Sequence, residues 1–245
     1  MIVSEIMTTK LVTVNHDDTL SHAANLFRQY QFHHLPVVRT VRHRVNDVNQ
    51  TIYQTQMFFE GMLTSQDIDL AALLARQNAS SDLLHHAWQE QHISEVMHRP
   101  SVQITPTTGI AAAAQIMVER DLNALPVVEY ESTEQETKML LVGLLTRSGL
   151  LTVLARSLGV NEPGMELVIQ LPVGDMAPLA QTLLLAKEMH VQVHSIIAAP
   201  LEGSVPRSAT LRLGTINPAP LLVRLQKAAI QYTVADPLLE EDKHD

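Results

Sequence analysis

Three residues at fixed spacing, Gly61, Thr64 and Asp67, form the pattern Gly-x-x-Thr-x-x-Asp at the end of an apolar segment. If a helix begins at Thr64, its free backbone N–H groups and the positive end of its dipole suit a phosphate group. The Thr64 hydroxyl can donate to a phosphate oxygen, and the Asp67 carboxylate can accept from the two hydroxyls of a ribose. Phosphate and ribose are neighbours in a nucleotide, so this spacing predicts a nucleotide-binding turn.

The same spacing also has a purely structural explanation. Thr and Asp three residues apart at a helix start are close to a capping box, in which the pair satisfies the N–H groups of its own helix. Taken alone, the pattern favours capping over ligand binding by roughly four to one. The motif by itself therefore leaves both interpretations open, and its surroundings must decide between them.

The segment that carries the motif occurs twice in the chain. Pro36-Val37-Val38 recurs ninety positions later as Pro126-Val127-Val128, and the second copy ends in Gly143-x-x-Thr146. Gly149 stands where the first copy has Asp67. A duplicated unit predicts two half-sites facing each other across a pseudo-twofold axis. Losing the charged acceptor is expected to weaken the second half-site by about 1.5–3 kcal/mol, or one to two decades in affinity.

Each copy is predicted to contain a strand, a helix, two strands and a second helix. In the first copy the strands are Leu11-Val12-Thr13-Val14, a strand that starts at Leu35, and Met57 to Leu63. The chain between the paired strands, Arg39 to Gln56 in the first copy and Glu129 to Thr137 in the second, is predicted to form solvated loops. The motif thus falls where a strand ends and a helix begins.

A third unit follows a break rich in Gly and Pro at residues 158–164. Its pattern is strand, helix, strand, strand, helix, strand, which is the ferredoxin-like βαββαβ order. The second helix has Asn217 as its N-cap and Pro218 in its first turn, both favoured there. The sequence therefore predicts a mixed α/β (α+β) chain with a duplicated unit followed by a smaller domain.

Composition limits the classes of function. The net charge of -9 disfavours nucleic acid and anionic membranes as partners. The chain has no cysteine, no apolar run long enough to span a bilayer and no signal-peptide pattern, so a cytoplasmic location is expected. The consecutive pairs His33-His34 and His85-His86 lack metal-ligand spacing, and no nucleophile or phosphate-loop motif of an enzyme is present, so we expect neither a metal site nor catalysis.

Residues 1–157 resemble a tandem pair of cystathionine-β-synthase (CBS) domains, also called a Bateman module. The matching pieces occur in the same order in both copies. In the first copy they are Ile6-Met7-Thr8, Val12-Thr13-Val14, His34-Leu35-Pro36-Val37-Val38 and Gly61-x-x-Thr64-x-x-Asp67; in the second they are Val96-Met97, Val102-Gln103-Ile104, Asn123-Ala124-Leu125-Pro126-Val127-Val128 and Gly143-x-x-Thr146.

This resemblance implies an adenosine-containing regulatory ligand, such as AMP, ADP, ATP or S-adenosylmethionine, and no other cofactor. It assigns the phosphate contact to Thr64 and the ribose contact to Asp67. It also implies a homodimer, with a protein target as a further partner. The residues implied around the base of the first site are Lys10, Val12, Thr13, His34 and Pro36, and those implied for a weaker second site are Val102, Asn123, Pro126 and Thr146.

The third unit is similar to an ACT domain, a small regulatory module that often pairs across a dimer. The similarity depends on the element order and on Val193-His194-Ser195-Ile196-Ile197. In the first turn Asp175 follows Gly174, the reverse of the family's Asp-x-x-Gly order, so a dimerisation or packing role is favoured over amino-acid binding. A CBS pair followed by such a unit also resembles the acetoin-utilisation type of CBS–ACT protein.

The expected organisation is CBS repeat 1 at residues 1–78, a linker helix at 79–93 and CBS repeat 2 at 94–157. A linker at 158–164, an ACT-like domain at 165–236 and an acidic tail at 237–245 complete the chain. We expect a non-enzymatic regulatory protein that senses an adenosine nucleotide mainly at the first site and signals through conformation or dimer geometry. The alternatives are a non-binding dimerisation scaffold and, less favoured, an enzyme acting on a small metabolite.

Overall fold

A computed structural model of the protein describes residues 1–47, 50–78, 88–99, 102–132, 137–160, 162–172, 175–200, 205–215 and 217–235. The chain forms two compact units, residues 1–150 and residues 151–245. Both units combine helices with a β-sheet, as the sequence predicts. Among the helices of the described residues, none is both long and apolar enough to cross a bilayer.

The first unit is built around one five-stranded sheet with the order β1-β2-β3-β5-β4. β1 pairs with β2 in parallel, and the other neighbours are antiparallel. The strands are β1 (Val14–Asn15), β2 (His34–Asp47), β3 (Gln50–Thr64), β4 (Ala124–Ser132) and β5 (Thr137–Thr146). The helices of this unit are α1 (Leu20–Tyr30), α2 (Ser65–Asn78) and α3 (Ile110–Glu119), and α4 (Arg147–Ser157) begins in it and continues past residue 150.

The hairpins are longer than the sequence predicts. After a register shift between Val37 and Val38, β2 and β3 pair out to Asp47–Gln50, so most of the chain between Arg39 and Gln56 is strand. Likewise, β4 and β5 pair as far as Ser132 and Thr137. The described residues of both stretches are strands and not loops, although those whose burial is described are largely exposed. The loop prediction is wrong because these stretches are rich in polar residues and lack the regular alternation of apolar and polar residues that marks a half-buried strand.

The start of each repeat packs into the core of the other repeat. Val3 is fully buried with α3 and the strands of the second repeat, and Ile6 and Met7 pack against the same cluster. Ile93 is fully buried in the first repeat's core, together with Leu35 and Leu63. The segment before the second repeat forms two short 3-10 helices, Trp88–Glu90 and Ile93–Glu95. Residues 79–87 of the predicted linker helix lie outside the described residues.

The second unit has an antiparallel four-stranded sheet with the order β7-β8-β6-β9. Its elements follow the predicted order of strand, helix, strand, strand, helix and strand. They are β6 (Met165–Gln170), α5 (Ala177–Glu188), β7 (Gln192–Ile197), β8 (Ser208–Gly214), α6 (Ala219–Lys227) and β9 (Tyr232–Ala235). Alternate residues of β8 (Ala209, Leu211 and Leu213) are fully buried, because only one sheet face packs against apolar residues of the helices.

Candidate functional site

The first turn lies where β3 ends at Thr64 and α2 begins at Ser65. The Asp67 Oδ2 atom accepts hydrogen bonds from the Thr64 backbone N–H and from the Thr64 hydroxyl, both at 2.7 Å. In return, the Asp67 N–H donates to Thr64 Oγ1 at 3.3 Å. This reciprocal pair is a capping box, so the helix uses both side chains for its own start.

The Asp67 carboxylate is nevertheless not confined to its own turn. His98 Nδ1 lies 3.5 Å from the same Oδ2 atom, and the Asp67 side chain keeps 24% of its surface exposed. Within the described residues, the contacts of this carboxylate all end on Oδ2. A carboxylate oxygen can accept more than one hydrogen bond, so Oδ1 retains acceptor capacity for an incoming hydroxyl.

His34 completes the cluster around the first turn. It is the first residue of β2 and lies opposite Thr64 in the antiparallel register. Burial lowers the pKa of His34 below 6.5, the nearby His33 and His98 lower this pKa further, and Asp67 opposes the shift. The imidazole is therefore neutral at neutral pH, with one nitrogen able to donate and the other able to accept.

Each turn is bordered by the chain that begins the opposite repeat. Met62, on the strand leading to the first turn, exchanges two backbone hydrogen bonds with His98, at 2.9 and 3.1 Å. Leu144, on the strand leading to the second turn, does the same with Thr8, at 2.9 and 3.0 Å. The residues that complete each turn are thus more than thirty positions away in the sequence, and they belong to the other repeat.

The motif glycines provide the space for these crossing segments. A Cβ atom on Gly61 would lie 3.0 Å from the backbone oxygen of His98, and one on Gly143 would lie 2.5 Å from Met7 Sδ. A side chain at Gly61 would press on the backbone of the opposite repeat, and one at Gly143 would have to displace the Met7 side chain. This close approach explains the glycine in both copies without any ligand.

Because the start of each repeat lies beside the turn of the other repeat, only some of the predicted site residues lie together at the first turn. His34, Thr64 and Asp67 come together at the first turn, and Pro36 is buried further along β2, opposite Met62. Lys10 is exposed and follows Thr8, whose backbone pairs beside the second turn. Val12 packs against the first repeat's core, and Thr13 is partly buried between Val12 and β1.

His98 belongs to the first turn, although the sequence analysis did not name it. Aligning the two copies matches His98 with Thr8, but nothing in that alignment shows that the two segments change places. The pattern His34-Leu35-Pro36 and the turn motif were readable locally, whereas the approach of His98 depends on how the repeats pair.

The second turn keeps the capping hydroxyl and lacks the carboxylate. Thr146 Oγ1 accepts from the Gly149 N–H at 3.0 Å. Asn123 is exposed beside this turn, and its carbonyl oxygen accepts from the Arg147 N–H at 2.9 Å. Pro126 is buried opposite Leu144. Val102, the other predicted residue of this site, packs against the second repeat's core.

Described residues of the first unit line two cavities of similar size. The larger one, about 360 Å³, is lined by Arg39, Phe58, Phe59, Glu60, Arg99, Gln103, Thr137, Lys138 and Met139. The other, about 350 Å³, is lined by Ala24, Phe27, Arg28, Ser65, Ile68, Asp69, Ala72 and Trp88. Neither of these two is lined by Thr64 or Asp67. No group of three or more His, Asp or Glu side chains in the described ranges is arranged to hold a metal ion.

Comparison with known proteins identifies the duplicated unit. Residues 3–46 and 93–156 match the family model of the CBS domain. The chain therefore carries a pair of CBS domains within a mixed α/β fold, which confirms that part of the sequence prediction.

Three known proteins illustrate the similarity. The CBS domain-containing protein YhcV of Bacillus subtilis (strain 168) is 27% identical over 127 residues, which cover 52% of this chain and 72% of YhcV. The crystal structure of AcuB from Vibrio cholerae is 25% identical, with a TM-score of 0.45 and coverage of 66% of this chain and 98% of AcuB. The crystal structure of CBSX2 in complex with AMP is 18% identical, with a TM-score of 0.42 and coverage of 63% and 96%.

Proposed function

We propose that the CBS pair binds an adenosine nucleotide such as AMP, ADP or ATP at the first turn, and that the protein acts as a non-enzymatic regulatory sensor. The observation that carries the proposal is the meeting of His34, Thr64, Asp67 and His98 at one strand end. This cluster combines a carboxylate with spare acceptor capacity, a neutral imidazole and a helix N-terminus. Those groups match a ribose, a heterocyclic base and a phosphate respectively.

Within this proposal the two turns are unequal. At the first turn the Asp67 carboxylate can hold ribose hydroxyls, whereas Gly149 at the second turn offers no side chain. We expect one tight nucleotide per chain, with weak or no binding at the second turn. Occupancy would change conformation or dimer geometry only to the extent that the nucleotide prefers one of two states.

Isothermal titration calorimetry of the full chain with AMP, ADP and ATP tests this proposal. The expected result is saturable binding with a stoichiometry of one nucleotide per chain, and weaker binding of the guanosine counterparts. Equal binding of adenosine and guanosine nucleotides would show that the base is not recognised, and an absence of heat with all of them would refute the proposal.

The capping box at Thr64 and Asp67 favours a second candidate, a non-binding scaffold whose repeats serve assembly. Under this alternative the two side chains only begin α2, and the full chain associates to the same extent with and without nucleotide. Sedimentation of the full chain at matched concentrations, with and without AMP or ATP, separates the two candidates. A nucleotide-dependent change in sedimentation supports the sensor and contradicts the passive scaffold.

For the second unit we propose an ACT-like domain, residues 165–236, that serves in dimerisation or packing. Its βαββαβ order and β7-β8-β6-β9 sheet support this assignment. Asp175 Oδ1 accepts from the N–H of Ala177, the first residue of α5, at 2.9 Å, which occupies one oxygen of a carboxylate considered for ligand binding. Gly174 lies outside the described residues. Thermal shift with a panel of amino acids is expected to give no stabilisation of this unit.

A further inference from the structure

The cavity of about 360 Å³ in the first unit gathers positive charge. Its lining among the described residues includes parts of β3 and β5, with three cations, Arg39, Arg99 and Lys138, and one carboxylate, Glu60. The chain as a whole carries a net charge of -9, so three cations around one cavity run against the overall charge of the protein. A recess lined by one sign of charge concentrates ions of the opposite sign.

The charges are only partly neutralised within the protein. Glu60 Oε1 lies 3.1 Å from Arg39 Nε, and its other oxygen lies 3.1 Å from His16 Nδ1. Over the described ranges, Arg99 and Lys138 have no carboxylate within 4.0 Å. The Lys138 ammonium instead sits 5.4 Å from the centre of the Phe58 ring, on the cavity wall. Among the described residues neither Arg99 nor Lys138 is held in an ion pair, although Glu131 lies opposite Lys138 in the β4–β5 register.

We propose that this cavity binds a small polyanion that carries phosphate groups. A guanidinium group can donate two parallel hydrogen bonds to a phosphate, and an ammonium group adds a compact charge. With Arg39 already occupied by Glu60, Arg99 and Lys138 are the residues that hold the anion. A volume of about 360 Å³ accommodates a diphosphate or triphosphate group.

The cavity adjoins the proposed nucleotide site through two continuous segments. Arg99 follows His98, which contacts Asp67, and Glu60 precedes the motif glycine on β3. Thr64 lies four positions after Glu60 along β3, about 13 Å at ~3.3 Å per residue. Two sources of phosphate fit this position. One is the phosphate end of a nucleotide held at Asp67, and this source rests on the proposed function. The other is a free polyphosphate, which is independent of that function.

Calorimetric titration of the full chain with tripolyphosphate, pyrophosphate and orthophosphate tests the cavity directly. Affinity is expected to rise with the number of phosphates. Lys138→Gln and Arg99→Gln are each expected to weaken tripolyphosphate binding by about tenfold, because each removes one charged donor. Lys138→Arg keeps the charge and should retain most of the affinity. Lys187→Gln, an exposed Lys of α5 in the second unit, is the matched control and should bind like wild type.

The proposal is overturned if the wild-type chain does not bind tripolyphosphate. It is also overturned if Lys138→Gln and Arg99→Gln both bind tripolyphosphate as tightly as the wild type. Thermal unfolding of each variant checks that it is folded; if Lys138→Gln does not fold, the exposed Arg99→Gln decides the outcome alone. Raising the salt concentration should weaken binding, since the phosphate contacts are only partly buried.

Titrations with AMP and ATP distinguish the two sources of phosphate. If the cavity holds the end of a nucleotide, ATP displaces tripolyphosphate, and Asp67→Ala weakens ATP but not tripolyphosphate. If the ligand is free polyphosphate, tripolyphosphate and AMP bind without competing. Should neither AMP nor ATP bind while tripolyphosphate still depends on Lys138, the proposed nucleotide function fails and the anion site stands. If AMP binds but neither Lys138 nor Arg99 affects any phosphate ligand, the nucleotide function stands and the anion site fails.

Discussion

Replacing Asp67 by Ala separates the two roles of the first turn, helix capping and ligand binding. The variant removes the acceptor of two 2.7 Å hydrogen bonds from Thr64. Loss of a helix cap costs about 0.5–2 kcal/mol of stability. The His98 partner adds little, because its side chain is 52% exposed and such pairs contribute roughly 0–1 kcal/mol. We therefore expect the free energy of unfolding to fall by about 1–2 kcal/mol, which lowers Tm by roughly 2–8 °C for a unit of this size.

The effect on nucleotide affinity is a separate quantity. If Asp67 accepts from ribose hydroxyls, its removal costs a charge-assisted hydrogen bond of about 1.5–3 kcal/mol, which corresponds to roughly a tenfold to hundredfold weaker Kd. If Asp67 only caps the helix, the folded variant binds AMP and ATP like the wild type. Titration calorimetry well below the Tm of the variant measures affinity, and thermal unfolding measures stability.

Asp18→Ala is the matched control for this comparison. Asp18 Oδ2 accepts from the Asn15 N–H at 2.8 Å, which is also a bond between a carboxylate and a backbone group three residues away. We expect Asp18→Ala to lose stability without losing affinity. The reasoning is refuted if Asp67→Ala unfolds at a lower temperature but binds the nucleotide as tightly as the wild type and Asp18→Ala do.

Three further predictions concern the framework of the site. Gly143→Ala places a methyl group against Met7 Sδ and should cost about 1–3 kcal/mol of stability; Gly109→Ala, where an added Cβ meets nothing within 4 Å, should be milder in chemical denaturation, and equal costs would contradict this explanation. Ile93→Ala should lower the free energy of unfolding by about 2–5 kcal/mol and speed amide hydrogen exchange mainly in the first repeat, because Ile93 lies in that repeat's core. Faster amide exchange confined to the second repeat would contradict this position of Ile93. Because burial lowers the pKa of His34, this residue is protonated in the unfolded state before the folded state as pH falls below about 6.5, so the free energy of unfolding decreases there. Urea unfolding of His34→Gln between pH 7.5 and 5.5 should show a smaller decrease than the wild type. An equal decrease in the variant would contradict this role of His34.

Much of the fold was readable because its signals are local. The repeat of Pro36-Val37-Val38 as Pro126-Val127-Val128 marks two equivalent strands, and the structure pairs both with the strands that end in the motif turns. The family match confirms the CBS pair inferred from those repeats. The ACT-like assignment, the homodimer and the nucleotide contacts of the individual residues stay predictions.

The long hairpins could not be read in the same way. Thr40 and Gln56 are exposed or partly buried, and polar residues are frequent in the neighbouring sequence of both strands. Strand formation there depends on hydrogen bonds between β2 and β3, and a short stretch of sequence does not reveal which partner it will pair with. The same holds for the contact between Gln56 and Glu131, 3.5 Å apart, which joins the two hairpins.

The sequence by itself determined the duplication, the turn chemistry of Thr64 and Asp67, and the asymmetry left by Gly149, since all three are properties of residue type and short spacing. Only the tertiary structure decided that the start of each repeat crosses to the other, because that choice depends on which apolar surfaces bury each other. The crossing brings His98 to Asp67, and it brings Arg99 to the cavity that also has Arg39 and Lys138 in its lining. Residues thirty or more positions apart acquire a shared chemistry through that packing, and no local pattern encodes it.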